Sequence, residues 1–174
     1  MDRNSEKIVS FTIIYNKFKR KVYNYTLRMV SDKNLCEDIV QNVFMKLFEN
    51  LDSIRNKNGI NSWIFKTTRN EIYGYFREKK IKTDRHGREN LENISQESKL
   101  DLLSSYDMKE LKELILSELD KMPAEQKEVY LLKEYGGLSY KEIAEILGIE
   151  VSLVKSRLYK VRQKLINKIG EIII

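Results

Sequence analysis

The sequence predicts an all-α protein: an N-terminal helical bundle and a C-terminal helix-turn-helix domain, two small domains joined by a polar linker. Three observations carry this. Apolar residues recur at helical spacing through several long runs, and seven Gly and one Pro leave few breaks between them. A chain of 174 residues with 41% hydrophobic and 33% charged residues is long enough for one core or for two small ones. The mean hydropathy of −0.51 belongs to a chain that folds in water.

In the N-terminal part, Phe11, Tyr15, Phe18, Val22, Tyr25 and Met29 fall at 0, 4, 7, 11, 14 and 18, one apolar stripe through five turns of a first helix. Asn34 with Glu37 reads as the cap of a second helix, carried on by Ile39, Val40, Val43, Phe44, Leu47, Phe48 and Leu51. A polar segment with one Gly follows, and Trp63 opens a third helix running towards Lys80. On it Phe65, Ile72 and Phe76 form an inward stripe. These elements define a domain at residues 1–80.

Residues 81–107 are polar and nearly free of aromatics, and read as a linker. In the C-terminal domain, residues 108–174, Leu111, Leu114, Ile115 and Leu119 begin a helix, and Pro123 sits where the next can start without wasting an amide. Val129, Leu131 and Leu132 are buried candidates, and Gly136-Gly137 ends that helix. Ser139 with Glu142 is a capping box, Ile143, Ile146 and Leu147 give one apolar face, and Gly148 supplies the positive φ of a helix end. Val154, Leu158, Val161 and Leu165 then fall at 0, 4, 7 and 11 on the core side of a last helix. Ser152, Lys155, Ser156, Tyr159, Arg162 and Gln163 point the other way.

Charge is concentrated on that last helix. From Val151 to Lys168 there are six Lys or Arg and no Asp or Glu, equal to the whole chain's formal net charge of +6. A charge run is usually a solvated face. Here a capping box, a turn glycine and the absence of acids favour a helix-turn-helix whose second helix enters the major groove of DNA. A weaker patch lies on the third helix, where Lys66, Asn70, Tyr73 and Arg77 share a stripe at 0, 4, 7 and 11. Cations that track phosphates, interleaved with rings on which bases stack, suit single-stranded nucleic acid. Tyr73 and Trp63 also read as core rings.

Other chemistry lacks parts. One cysteine, Cys36, excludes an internal disulfide, and with His86 as the sole histidine no metal cluster or histidine-dependent dyad can be assembled. Cys36 reads as a small helix residue and His86 as solvated. No run of 18 apolar residues and no signal peptide is found, so the expected location is the cytoplasm, without membrane insertion. No catalytic site and no cofactor is expected.

Three stretches, EDIVQNVFMKLF at residues 37–48, SWIFKTTRNEIYGYFR at 62–77 and the segment from Leu119 to Leu165, together resemble the extracytoplasmic-function (ECF) group of bacterial RNA polymerase sigma factors. The resemblance covers roughly Phe11 to Ile169. It implies a protein that binds core RNA polymerase and promoter DNA and directs promoter-specific initiation, with an anti-sigma factor as a further partner. The family's polymerase contact falls on Asp38, Gln41, Asn42 and Met45, all off the apolar stripe of the second helix. Asp38 also reads as a first-turn acid favoured by the helix dipole. The downstream, minus-10 contacts map to the loop from Ile54 to Ser62, with Ile54, Arg55 and Asn61, and to Lys66, Asn70, Tyr73 and Arg77. The upstream, minus-35 contacts map to Ser152, Lys155, Ser156, Arg157, Tyr159, Lys160 and Arg162, with Arg157 on the helix flank facing a phosphate. Thr67, Thr68, Asn42, Ile54, Glu150 and Leu153 depart from the family pattern. Two other readings stand beside this one: a helix-turn-helix regulator that does not bind polymerase, and an RNA-binding or purely interaction protein.

Overall fold

The structure, a computed structural model, describes residues 2–54, 59–86 and 106–173. All regular structure among these is helical: α1 (Arg3–Val30), α2 (Lys33–Asn50), α3 (Ile60–His86), α4 (Tyr106–Asp120), α5 (Ala124–Glu134), α6 (Tyr140–Leu147) and α7 (Val151–Ile173). The chain divides into two compact units, Met1–Gln96 and Glu97–Ile174.

In the first unit α1, α2 and α3 pack on one another. The predicted stripe of α1 goes inward at Phe18, Val22 and Tyr25, which are 5%, 0% and 0% exposed. Towards the N-terminal end of α1 the stripe meets α2. There Phe11 meets Phe48 edge-on at 5.2 Å and Tyr15 meets Phe44 at 4.8 Å, the quadrupole-favoured geometry for rings on a seam. Tyr15 stays at the surface. Across the bundle, Tyr25 packs edge-on against Phe65 of α3.

Helix ends differ in places from the predicted ones. α1 begins at Arg3, well before its apolar stripe, and ends on Ser31 in the left-handed region. The cap of α2 is Asp32, whose carboxylate accepts from Leu35 N at 3.0 Å, and not Asn34. An acid at that position answers both an open amide and the positive helix end. With the start moved back, the first turn of α2 holds no acid, so Asp38 is not placed by the helix dipole. α3 starts before Trp63 and continues to His86, so the segment from Ile81 begins as helix and not as linker. The side chain of His86, like residues 87–105, lies outside the described residues.

Cys36 is a buried packing residue, as expected. Its thiol donates to Tyr23 O at 3.5 Å, and burial, with Glu37 and Asp32 adding to it, pushes its pKa up to about 12. Such a thiol is inert near neutrality.

The second unit is built around α7. Val154, Leu158, Val161 and Leu165 are 0%, 2%, 0% and 6% exposed and pack on α5, α6 and α4. Val129, Leu131 and Leu132 of α5 are fully buried. Fully burying each such side chain contributes about 1.5–3 kcal/mol. Pro123 is the N-cap of α5, one residue outside the helix. Gly137 takes φ +68° in the turn before α6. Both arms of the Ser139 capping box are made: Glu142 N donates to Ser139 Oγ at 3.2 Å, and Ser139 N donates to Glu142 Oε2 at 2.7 Å. Gly148 ends α6 at φ +65°, where a side chain would be strained, and α7 starts three residues later. No helix among the described residues is long and apolar enough to cross a membrane.

Candidate nucleic-acid interface

With the core stripe of α7 fixed inward by Val154, Leu158, Val161 and Leu165, helical geometry sends Ser152, Ser156, Tyr159, Lys160 and Gln163 to the opposite side. All five are exposed, as is Lys155 beside them. Tyr159 is 65% exposed. Neither Lys160 nor Lys164 is in an ion pair among the described residues. Glu150 and Leu153, where the sequence departs from the family pattern, are both exposed at the start of α7. Glu150 O accepts from the amides of Leu153 and Val154, so the turn between the helices is closed by backbone.

Arg157 and Arg162 lie on the two flanks of the buried stripe, and each is answered by an acid of α5. Arg157 Nη2 donates to Glu125 Oε2 at 2.6 Å, and Arg162 Nη2 to Glu134 Oε1 at 2.9 Å. The bond to Glu134, with the Tyr140 hydroxyl also contributing, raises the guanidinium pKa of Arg162. The flank position expected for Arg157 is thus observed. The acids that occupy the two arginines had no signal in the sequence, because they lie 32 and 28 residues away on another helix.

On α3, Lys66, Asn70 and Arg77 are exposed and Tyr73 is half-buried. The Arg69 guanidinium lies 4.5 Å from the centre of the Tyr73 ring, and Lys79 Nζ 6.0 Å from that of Tyr75. Phe65 and Ile72 are fully buried, but Phe76, expected to pack inward with them, is 37% exposed. Among the described residues Ile72 is the last buried position of α3, and Phe76 beyond it rests against Tyr73 and Tyr75. Trp63 and Asn61 are half-buried near the start of the helix. Thr68 is buried where an apolar or alanine residue is usual, and its hydroxyl is satisfied by donating to Ile64 O at 2.8 Å. Ile54 is half-buried in the turn after α2, with its amide bonded to Asn50 O. Arg55 lies outside the described residues.

Asp38, Gln41, Asn42 and Met45 form one exposed stripe on α2. Met45, 53% exposed, borders an open groove lined by Phe11, Phe44, Phe48 and Glu49. A polar stripe ending in an apolar notch can seat a partner helix. Among the described residues no group of three or more His, Cys, Asp or Glu side chains is placed to hold a metal.

Comparison with known proteins gives this arrangement its context. Residues 14–81 match the family description "Sigma-70 region 2", and residues 112–165 match "Sigma-70, region 4". The chain is 30% identical to RNA polymerase sigma factor SigZ of Bacillus subtilis, over 87% of this chain and 82% of that protein. It is 27% identical to the ECF RNA polymerase sigma-E factor of Escherichia coli, over 94% and 88%. Among solved structures, the sigma factor RpoE of Bartonella quintana, crystallised with the anti-sigma factor NepR, shares the fold. Its TM-score is 0.78 at 22% identity, with 92% of this chain and 97% of that one covered. CnrH, solved in complex with the cytosolic domain of CnrY, aligns with a TM-score of 0.60 at 18% identity, covering 92% and 88%. A helix-turn-helix regulator that does not bind polymerase is not favoured, because regions 2 and 4 both match, region 2 spanning α2 and most of α1 and α3, and the relatives are sigma factors. The chain belongs to the sigma-70 family of RNA polymerase sigma factors, within the ECF group.

Proposed function

We propose that this sigma factor divides its contacts among three helices. The Asp38, Gln41, Asn42 and Met45 stripe of α2 meets core RNA polymerase. Ile54, Arg55, Asn61, Lys66, Asn70, Tyr73 and Arg77, within residues 1–80, take the opened minus-10 element. Ser152, Lys155, Ser156, Arg157, Tyr159, Lys160 and Arg162, within residues 108–174, take the minus-35 duplex. Residues 81–107 connect the two parts, less the end of α3 and the start of α4. The observation that carries the division is that α3 and α7 both turn cations and rings to solvent but are packed differently behind them. Extruding a base costs a few kcal/mol, so a polar reader such as Asn70 beside a ring has a defined task. On α7, base edges fall to the outward residues, and Arg157 and Arg162 suit phosphates. The protein does no chemistry of its own and works in the cytoplasm beside polymerase. An anti-sigma partner is proposed on the precedent of the NepR complex of the Bartonella protein.

Mixing the purified chain with core polymerase tests the reading, since failure to form a complex or to start transcription on any genomic promoter removes it. Within the complex, Lys155→Ala and Tyr159→Ala should weaken upstream DNA binding and leave polymerase binding unchanged. Asp38→Ala and Gln41→Ala should do the reverse. If the two sets behave alike, the division is wrong.

A further inference from the structure

Three cations from two helices of the second unit gather around one ring at the start of a third. Lys133 Nζ, near the end of α5, lies 4.9 Å from the centre of the Tyr140 ring and donates to Leu138 O at 3.0 Å. Lys155 Nζ of α7 lies 5.9 Å from the same centre. Arg162, two turns further along α7 on the same flank, donates to Glu134, the neighbour of Lys133 on α5. Neither lysine ammonium has a carboxylate partner among the described residues, so the group holds three positive charges and one bonded carboxylate. Like charges brought together repel, and the arrangement favours an anion that can answer them jointly.

The position of the group narrows which anion. Tyr140 is the first residue of α6, the first helix of the helix-turn-helix, and this helix crosses the sugar-phosphate backbone when the second lies in the major groove. A backbone phosphodiester offers two anionic non-bridging oxygens, each able to accept more than one bond, to a guanidinium fork, a phenol O–H and two ammonium groups, and charge-assisted bonds of this kind are the strong ones. Glu134, with its side chain 41% exposed, is placed to hold the guanidinium when no phosphate is present.

We propose that Lys133, Tyr140, Lys155 and Arg162 form a seat for one backbone phosphate of duplex DNA, and that Glu134 competes with that phosphate for Arg162. This rests on the reading that α7 meets duplex DNA. The competition lowers affinity for every duplex alike, because phosphate contacts carry no sequence information. Glu134 thereby sets how tightly the domain holds DNA of any sequence, and discrimination is left to the outward face of Ser152, Ser156, Tyr159 and Gln163.

The test uses the full chain and a labelled random-sequence duplex, titrated at several salt concentrations. Glu134→Gln should bind about three-fold more tightly, the scale of one exposed ion pair. Its slope of log affinity against log salt should steepen by about 0.9, one added phosphate contact. In the double variant Glu134→Gln, Arg162→Gln, the gain and the added slope should both vanish. Unchanged or weaker binding by Glu134→Gln, or a gain that survives in the double variant, overturns the proposal while the wild-type chain still binds with a steep salt response. A wild-type chain that does not bind the duplex, or binds with no salt response, overturns both the proposal and the reading beneath it.

Discussion

Helices α3 and α7 both carry cations and rings on their outer faces, yet they hold them by different means. On α3 the cations rest on rings of the same helix, Arg69 on Tyr73 and Lys79 on Tyr75, with Phe76 completing an aromatic surface. On α7 the arginines are drawn to the flanks by Glu125 and Glu134 of another helix, and Tyr159 stands exposed between lysines. On the proposed reading the first arrangement suits flat, unpaired bases, and the second, a narrow polar ridge, suits a groove. A similar balance of residue types would then serve two forms of DNA, with the neighbours deciding which.

The largest way to break the comparison is to remove what holds the ridge. Leu158→Ala empties a fully packed position where α7 meets its partners, and should destabilise the second unit by about 2–5 kcal/mol. Hydrogen exchange should then show lost protection along α5, α6 and α7. If protection and duplex affinity both survive, α7 is not ordered by this stripe. The matching change in the first unit, Phe65→Ala, should cost about 3–5 kcal/mol and reach α3 and the Tyr25 ring instead.

A crossed pair of substitutions sharpens the contrast at the faces themselves. Tyr73→Ala should weaken binding of a single-stranded oligonucleotide by about 1–3 kcal/mol, the range for one stacked base, and leave duplex binding unchanged. Tyr159→Ala should weaken duplex binding and leave the single strand alone. Equal effects of both substitutions on both forms of DNA, read by fluorescence anisotropy, would show that the two helices are not specialised.

Much of this was legible in the sequence, where the signal was local. The stripe of α7, the two-armed Ser139 cap and the left-handed Gly148 depend on spacings of three to eleven residues, and each is observed. The outward placement of Asp38, Gln41 and Met45 followed from the same geometry. Sequence reasoning failed where a distant element decides. Phe76 matches the apolar period, but only the packing of α3 shows Ile72 as its last buried position among the described residues. The pairing of Arg157 and Arg162 left no sequence signal because Glu125 and Glu134 become neighbours only once α5 packs on α7. The α2 cap was misplaced by two residues because Asp32 and Asn34 are both good caps, and it is Asp32 that bonds the third amide of the helix.

Those caps give a smaller test. Ser139→Ala removes the side-chain arm of the capping box, the bond from Glu142 N, while the backbone amide at 139 keeps its bond to Glu142, and should cost about 1 kcal/mol, seen as a shift in the unfolding of the second unit. Asp32→Ala removes the one side-chain bond at the start of α2 and should cost a similar amount, in the first unit. A larger loss at Asp32 would mean that α2 depends on its end more than on the core beneath it.

The smallest expected effect concerns how firmly each helix keeps its cations. The arginine pairs of α7 are ionic and partly exposed, with the Arg162 side chain at 45% and that of Glu125 at 71%. At 1 M salt the screening length falls to about 3 Å, so Coulomb attraction in such pairs is largely lost. Contact between Arg69 and the Tyr73 ring draws also on stacking of two flat groups, which salt weakens less. In arginine Nε–H spectra, raising salt should therefore move the Arg157 and Arg162 signals towards free arginine while Arg69 keeps its ring-current shift. Loss of the Arg69 shift at the same salt would show that α3 also holds its cations by charge, and the distinction between platform and ridge would then lie in their rings alone.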